Sequence, residues 1–156
     1  MPTYRVGRTF TVESGHLLSQ HPERCRFPHG HTRTVEVVVA GQELDARGML
    51  VDFKALKLAL EDLINQFDHA MAINSQDPLL PTLKQLYPAD AVVVFDNEEP
   101  TTEVIARFLF ERVKAILEAG FHAEPYQIWP RSVTLERLRV SETPTTWAEV
   151  SDSSHE

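Results

Sequence analysis

Cys25, His29 and His31 stand within the run Cys25-Arg26-Phe27-Pro28-His29-Gly30-His31, and His16 lies nine residues before it. The whole chain has one cysteine and seven histidines, so four of the imidazoles and the sole thiol within sixteen positions call for a chemical explanation. Imidazole nitrogen and thiolate sulfur are ligands that suit zinc. Two histidines one residue apart point to the same side of an extended strand, because side chains alternate across the pleat. His29 and His31 can therefore share one ion. His16, arriving from an adjacent strand, would complete a three-nitrogen set whose fourth position is open to water or substrate. Cys25 beside a dication would favour its thiolate form and act as a base. Two blander readings compete with this one. A lone His-x-His pair is often a surface or hydrogen-bonded feature, and Cys25 could instead be the fourth ligand of a closed, structural zinc site. Residue types and spacing leave the open and the closed site both standing.

Two further groups could do acid–base work. Asp68-His69 falls at the end of a helical pattern, where the carboxylate can orient the imidazole and tune its protonation; the alternative is a helix-ending pair facing solvent. Glu142 follows an apolar alternation, and a carboxylate on a buried strand face is costly unless it is paired, so it lies beyond the strand end or serves a ligand.

The elements that must position these groups are legible from periodicity. Tyr4, Val6, Phe10 and Val12 are apolar on one parity, with Arg8 the exception, which predicts a half-buried strand. Gly15 permits a bend that brings out His16. The stretch Ser19 to Pro28 reads as a loop, and a second strand runs from His29 through Val35, Val37 and Val39. An antiparallel pair follows naturally. Asp52 is placed as an N-cap for a helix with an apolar stripe of Phe53, Leu56, Leu60, Leu63, Ile64 and Phe67. Ser75 to Pro88 is a long connection with a short helix at Leu80 to Tyr87, and Ala91 to Phe95 is a run of strand type. Pro100-Thr101-Thr102-Glu103 starts a second long helix carrying Ile105, Phe108, Leu109, Val113, Ile116 and Leu117, which Gly120 ends. Capping alone accounts for the two threonines. Val133 and Leu135 share one parity and Leu138 and Val140 the other, which predicts a bulge near Glu136 or Arg137.

At 156 residues, with 42% hydrophobic and 24% charged residues, the chain reads as a single domain over residues 1–150 with a polar tail at 151–156. A net charge of −8 argues against nucleic acid as a partner. A single cysteine suits a reducing compartment, no apolar run approaches the roughly 20 residues of a membrane helix, and Met1 to Arg5 lacks the form of a signal peptide. A cytoplasmic protein with no membrane association is expected.

Taken together, His16, Cys25-x-x-x-His29-Gly30-His31, Gly48-Met49-Leu50-Val51-Asp52-Phe53, Asp68-His69, Pro100-Thr101-Thr102-Glu103 and Glu142-Thr143 resemble the 6-pyruvoyltetrahydropterin synthase and 6-carboxytetrahydropterin synthase family. The three-residue gap between Cys25 and His29 is similar to the bacterial carboxy branch of queuosine biosynthesis. The resemblance implies an α+β tunnelling fold (ββααββ), a four-stranded antiparallel sheet with two helices packed on one face. It also implies a homohexamer built as a dimer of trimers, with active sites between subunits. Carried over, His16, His29 and His31 would ligate Zn2+, Cys25 would abstract a proton, and Asp68 with His69 would handle a second one. Glu142 would grip the pterin ring, and Thr101 and Thr102 would add pterin contacts from an adjoining subunit. The substrate implied is 7,8-dihydroneopterin triphosphate, converted with release of triphosphate and acetaldehyde. Elimination of triphosphate alone, giving the pyruvoyl product, and a non-catalytic zinc-stabilised pterin-binding assembly are the alternatives. The chain departs from the family's usual pattern at Ile73 before Asn74, at Val104, and in a longer segment leading to Phe95.

Overall fold

The computed structural model describes residues 1–152. Strands β1 (Tyr4–His16) and β2 (His29–Gly41) pair antiparallel along their whole length, from Tyr4 opposite Gly41 to His16 opposite His29. Their alternation resolves as expected, but β1 runs on through Gly15, and His16 stays in the strand instead of bending out of it. Val12, Ser14 and His16 of β1 and Arg33, Val35, Val37 and Val39 of β2 are buried, while Thr11, Glu13, Thr32 and Thr34 face out. Arg8, on the inward parity, reaches out to donate to the Phe53 carbonyl.

Helix α1 (Phe53–Asn65) starts at Asp52, whose carboxylate accepts from the amides of Lys54 at 2.7 Å and Ala55 at 3.4 Å. Leu56, Leu60 and Ile64 are buried on its inner face. Phe53 was expected on the same stripe but is 59% exposed at the first position of the helix, although Ala55 and Leu56 of the same turn are fully buried. After α1 come β3 (Met71–Asn74), the short helix α2 (Leu80–Leu86) and β4 (Val92–Phe95). Helix α3 (Thr102–Ala119) buries Ile105, Leu109, Val113 and Leu117 against the sheet. It ends at Gly120, whose φ of 81° and close neighbours, Ile128 O and Pro130 Cδ within 3 Å of any added Cβ, leave room only for glycine. A small hairpin of β5 (Phe121–Ala123) and β6 (Tyr126–Ile128) precedes β7 (Thr134–Thr143) and β8 (Thr146–Ser151).

The main sheet has the order β4-β3-β1-β2-β7-β8. It is mixed: β3 runs parallel to β1, and β4 parallel to β3, while the remaining pairs are antiparallel. Six strands and three helices thus replace the four-stranded antiparallel sheet with two helices. The four expected strands are present as β1, β2, β7 and β8. The surplus comes from the chain between the two long helices, where two short apolar runs satisfy their backbone groups by extending the sheet beside His16. Parallel neighbours need a crossover, and α2 lies within it. Leu80 of α2 packs with Leu17 and Ile73 to make a second small core there.

The predicted bulge is found in β7. Val38 faces Arg137 and Val39 faces Leu135, so Glu136 is the extra residue. A second irregularity, between Ser141 and Thr143 in the pairing with β8, leaves Glu142 outside the ladder. The polar tail was expected from Ser151, but Ser151 still belongs to β8, and Asp152 pairs with Lys114 at 2.8 Å; positions 153–156 lie outside the described residues. No helix among the described residues is long and apolar enough to cross a membrane.

Candidate metal centre and active site

The register of the first hairpin assembles the histidines. His16 ends β1 directly across from His29, and His31 stands two residues along β2 on the same face, opposite Ser14. One nitrogen from each of the three lies within 4.8 Å of the other two. The rings meet edge to face with centroids 4.5–5.1 Å apart. The orientation of two rings is set from behind. His16 Nδ1 lies 2.9 Å from the Pro100 carbonyl and His29 Nδ1 lies 2.7 Å from the Phe27 carbonyl. Carbonyls only accept, so both Nδ1 atoms carry hydrogen and both Nε2 atoms present a lone pair. His16 Nε2 and His31 Nε2 then face each other at 3.2 Å. Two ligands on a tetrahedral zinc at about 2.1 Å stand roughly 3.4 Å apart, so these nitrogens are already at bonding separation for a shared ion. Without a cation or a proton between them, such lone pairs repel. The donor set fits zinc.

Burial pushes the fully enclosed His16 down to about 4; the Pro100 hydrogen bond opposes that shift and the Arg33 charge adds to it. His31 is also lowered, by burial and then by Arg33. Both are neutral near pH 7, the form a metal requires.

Glu142 approaches the same centre. Its Oε1 is 3.7 Å from His16 Nε2 and 3.8 Å from His31 Nε2, and it accepts from Thr102 Oγ1 at 2.9 Å. Partial burial works to raise its pKa, but the Thr102 hydrogen bond, His31 and His16 once protonated in the acid range, and the charge of Arg33 outweigh burial and hold it below the ordinary carboxylate value. A cleft of about 680 Å³ opens beside this point, lined by His31, Glu142, Thr143, Pro144 and Trp147 among others.

The other predicted residues are placed as follows. Cys25 sits half-buried in a single turn of 3-10 helix, Arg24–Arg26, and its carbonyl accepts from Leu18 N at 2.8 Å. The loop carrying it is tied to the approach of α3 by Glu99, which accepts from Ser19 Oγ and Gln20 N. Cys25 is not one of the three residues that converge as a ligand set. Thr101 caps α3, accepting from Val104 N at 3.1 Å, while its neighbour Thr102 turns inward and is buried. Asp68 and His69 form a pair of their own at 2.9 Å, docked on β1 through Glu13: Glu13 N donates to Asp68 Oδ1 and His69 N donates to Glu13 O. His69 has a φ of 55° and 79% of its side chain exposed.

Residues missed from sequence are Arg33, which is buried among these groups, and the carbonyls of Pro100 and Phe27. Arg33 did carry a signal. It continues the parity of His29 and His31 toward Val35, so an arginine was due on the core face.

Residues 5–153 match the family described as 6-pyruvoyl tetrahydropterin synthase. The chain belongs to that family. Among curated members, the 6-carboxy-5,6,7,8-tetrahydropterin synthase of Aquifex aeolicus is 32% identical over 139 residues, 78% of this chain and 86% of the relative. A probable enzyme of the same name from Halobacterium salinarum is 30% identical over 144 residues, 91% of this chain and 84% of the relative. In fold, an uncharacterized protein from Wolinella succinogenes superposes with a TM-score of 0.75 at 23% identity, over 97% of this chain and 99% of the other. The family makes pterins, so this chain is placed among pterin-processing enzymes of the lyase type.

The Asp68–His69 pair carries a pH dependence of its own. Asp68 raises the His69 pKa by its hydrogen bond and its charge, while the Glu13 amide first and His69 second lower that of Asp68. The pair is therefore complete below the ordinary imidazole range and lost as pH rises through the raised His69 value; at the acid end it is lost as pH falls through the depressed Asp68 value. Asp68→Asn is expected to move the His69 titration, followed by NMR of the ring protons, back down toward about 6.5. A midpoint unchanged by the substitution would show that Asp68 does not govern this imidazole.

Proposed function

We propose that the protein converts 7,8-dihydroneopterin triphosphate to 6-carboxy-5,6,7,8-tetrahydropterin with release of triphosphate and acetaldehyde, a zinc-dependent step of queuosine biosynthesis. The observation that carries this reading is the convergence of the His16, His29 and His31 nitrogens, with Glu142 beside them at the mouth of a cleft. The name shared by the two curated relatives favours the carboxy product over the pyruvoyl one.

His16, His29 and His31 would hold the zinc, with their tautomers set by the Pro100 and Phe27 carbonyls. Zinc bound there would supply Lewis acidity to the side-chain oxygens of the substrate. Glu142, ionised and held by Thr102, offers acceptors to the N–H edge of the pterin. Cys25 Sγ takes a proton from the substrate side chain as general base. His69, kept protonated to higher pH by Asp68, returns a proton as general acid. The exposure of His69 on a single chain fits a site completed by a neighbouring subunit, as in a homohexamer of two trimers. The sheet also ends in two open edges, β4 and β8, that such a neighbour could cover.

Mass spectrometry of the products from the zinc-loaded protein and 7,8-dihydroneopterin triphosphate tests the reading. Carboxytetrahydropterin with acetaldehyde is the expected outcome. Pyruvoyltetrahydropterin would transfer the chain to the sister activity, and unconsumed substrate would leave a binding function only.

A further inference from the structure

Among the described residues Arg33 is the largest side chain that is fully buried, with 1% of its surface exposed. It stands on β2 two residues beyond His31, and it is joined to Glu142 through the Thr102 hydroxyl that bonds both. A guanidinium has donors and no acceptor. Arg33 Nη1 donates to Thr102 Oγ1 at 2.9 Å and, at 3.4 Å, to the Ser141 carbonyl; Nη2 lies 3.2 Å from His16 Nδ1, and Nε is buried with no partner. An arginine withdrawn from water with a donor idle is a poor source of stability, since a well-packed apolar side chain of similar volume commonly does as well or better. Its position therefore calls for a functional reason.

The direction of the hydrogen bonds supplies one. Thr102 Oγ1 must accept from Arg33, because a guanidinium nitrogen cannot accept. The hydroxyl has one hydrogen left to give, and Glu142 Oε1 lies 2.9 Å away to take it. Glu142 itself sits at an irregularity in the strand, outside the β7–β8 ladder, so these side-chain contacts and not the sheet decide where its carboxylate points.

We propose that Arg33 is the positioning residue of the pterin-binding wall: by donating to Thr102 it turns the Thr102 hydroxyl hydrogen onto Glu142 and fixes the carboxylate that grips the ligand. The inference rests on the pterin-binding reading above. It adds a residue that acts through Thr102 and never touches the ligand.

The test uses the full-length, zinc-loaded protein titrated calorimetrically with 7,8-dihydroneopterin, a pterin without the triphosphate. Arg33→Met is expected to bind it at least about tenfold more weakly, the scale of losing a hydrogen bond to a charged group. The same variant should keep its zinc, measured by metal analysis, and should melt at the same temperature or higher. A merely structural arginine would instead lower the melting temperature. Arg33→Lys, which keeps the charge and one donor, should recover part of the affinity. Adding Thr102→Val to Arg33→Met should cost little more than Arg33→Met alone, because both break the same relay. Arg33→Met binding within twofold of the unaltered protein would overturn the proposal, and so would loss of zinc together with the pterin, which would assign Arg33 to His16. Failure of the unaltered protein to bind the pterin would instead remove the reading on which the proposal depends, and the proposal with it.

Discussion

His16→Ala is expected to abolish stoichiometric zinc binding and, with it, turnover. His16 is wholly enclosed, and it is the one member of the triad held by a carbonyl from the approach to a different element, Pro100 before α3. Its removal takes away a ligand, leaves the Pro100 carbonyl without its donor, and leaves Arg33 facing the gap. Losing only a partner behind a ligand typically lowers metal affinity by about 10–100-fold, so losing the ligand itself should exceed about 100-fold. Metal analysis after dialysis should fall from one zinc per chain to near none. His21→Ala is the matched control, since the His21 ring accepts from the Glu23 amide of its own loop and is not one of the three converging imidazoles. Full zinc content in His16→Ala would refute the three-imidazole site. The remaining fold should survive, because the core of Leu56, Leu60, Val37 and Leu138 does not depend on the ion. Chelation that unfolds the protein would point to a structural metal instead.

Cys25→Ala should reduce kcat by roughly 10²–10⁴-fold, the usual worth of a positioned general base, with zinc content unchanged. The residue lies in a short turn whose backbone is pinned by Leu18, so the substitution removes the sulfur and little else. Because Cys25 is outside the convergent imidazole set, the metal should not notice its loss. Steady-state kinetics together with metal analysis separates the two roles left open by residue spacing. Zinc lost along with the thiol would make Cys25 a ligand and the site a closed one.

Much of this was readable from local pattern. Period-two alternation located β1 and β2 and put His29 and His31 on one face. The helical stripes and the Asp52 and Gly120 caps located α1 and α3, and the change of parity after Leu135 narrowed the bulge to Glu136 or Arg137, of which the structure has Glu136. Each of these depends on neighbours within a turn or a strand. The strands β3 and β4 were not placed, although Ala91 to Phe95 was read as strand-like, because which edge a short apolar run joins depends on what else needs covering. Phe53 was misplaced because a stripe fixes a direction around a helix but not whether its first residue, next to the N-cap, finds a partner surface; here Ala55 and Leu56 of that turn are buried and Phe53 is not.

By itself, then, the amino-acid order determined the strand faces, the helix limits and the gathering of His16, His29 and His31, since strand parity and one connection between consecutive strands suffice to bring them together. Only the tertiary structure decided what stands behind and beside them. Pro100 reaches His16 across 84 positions, Thr102 reaches Arg33 across 69 and Glu142 across 40. No periodicity encodes such contacts; they exist because β7 and the start of α3 are packed against the end of the first hairpin, where buried polar groups must find partners.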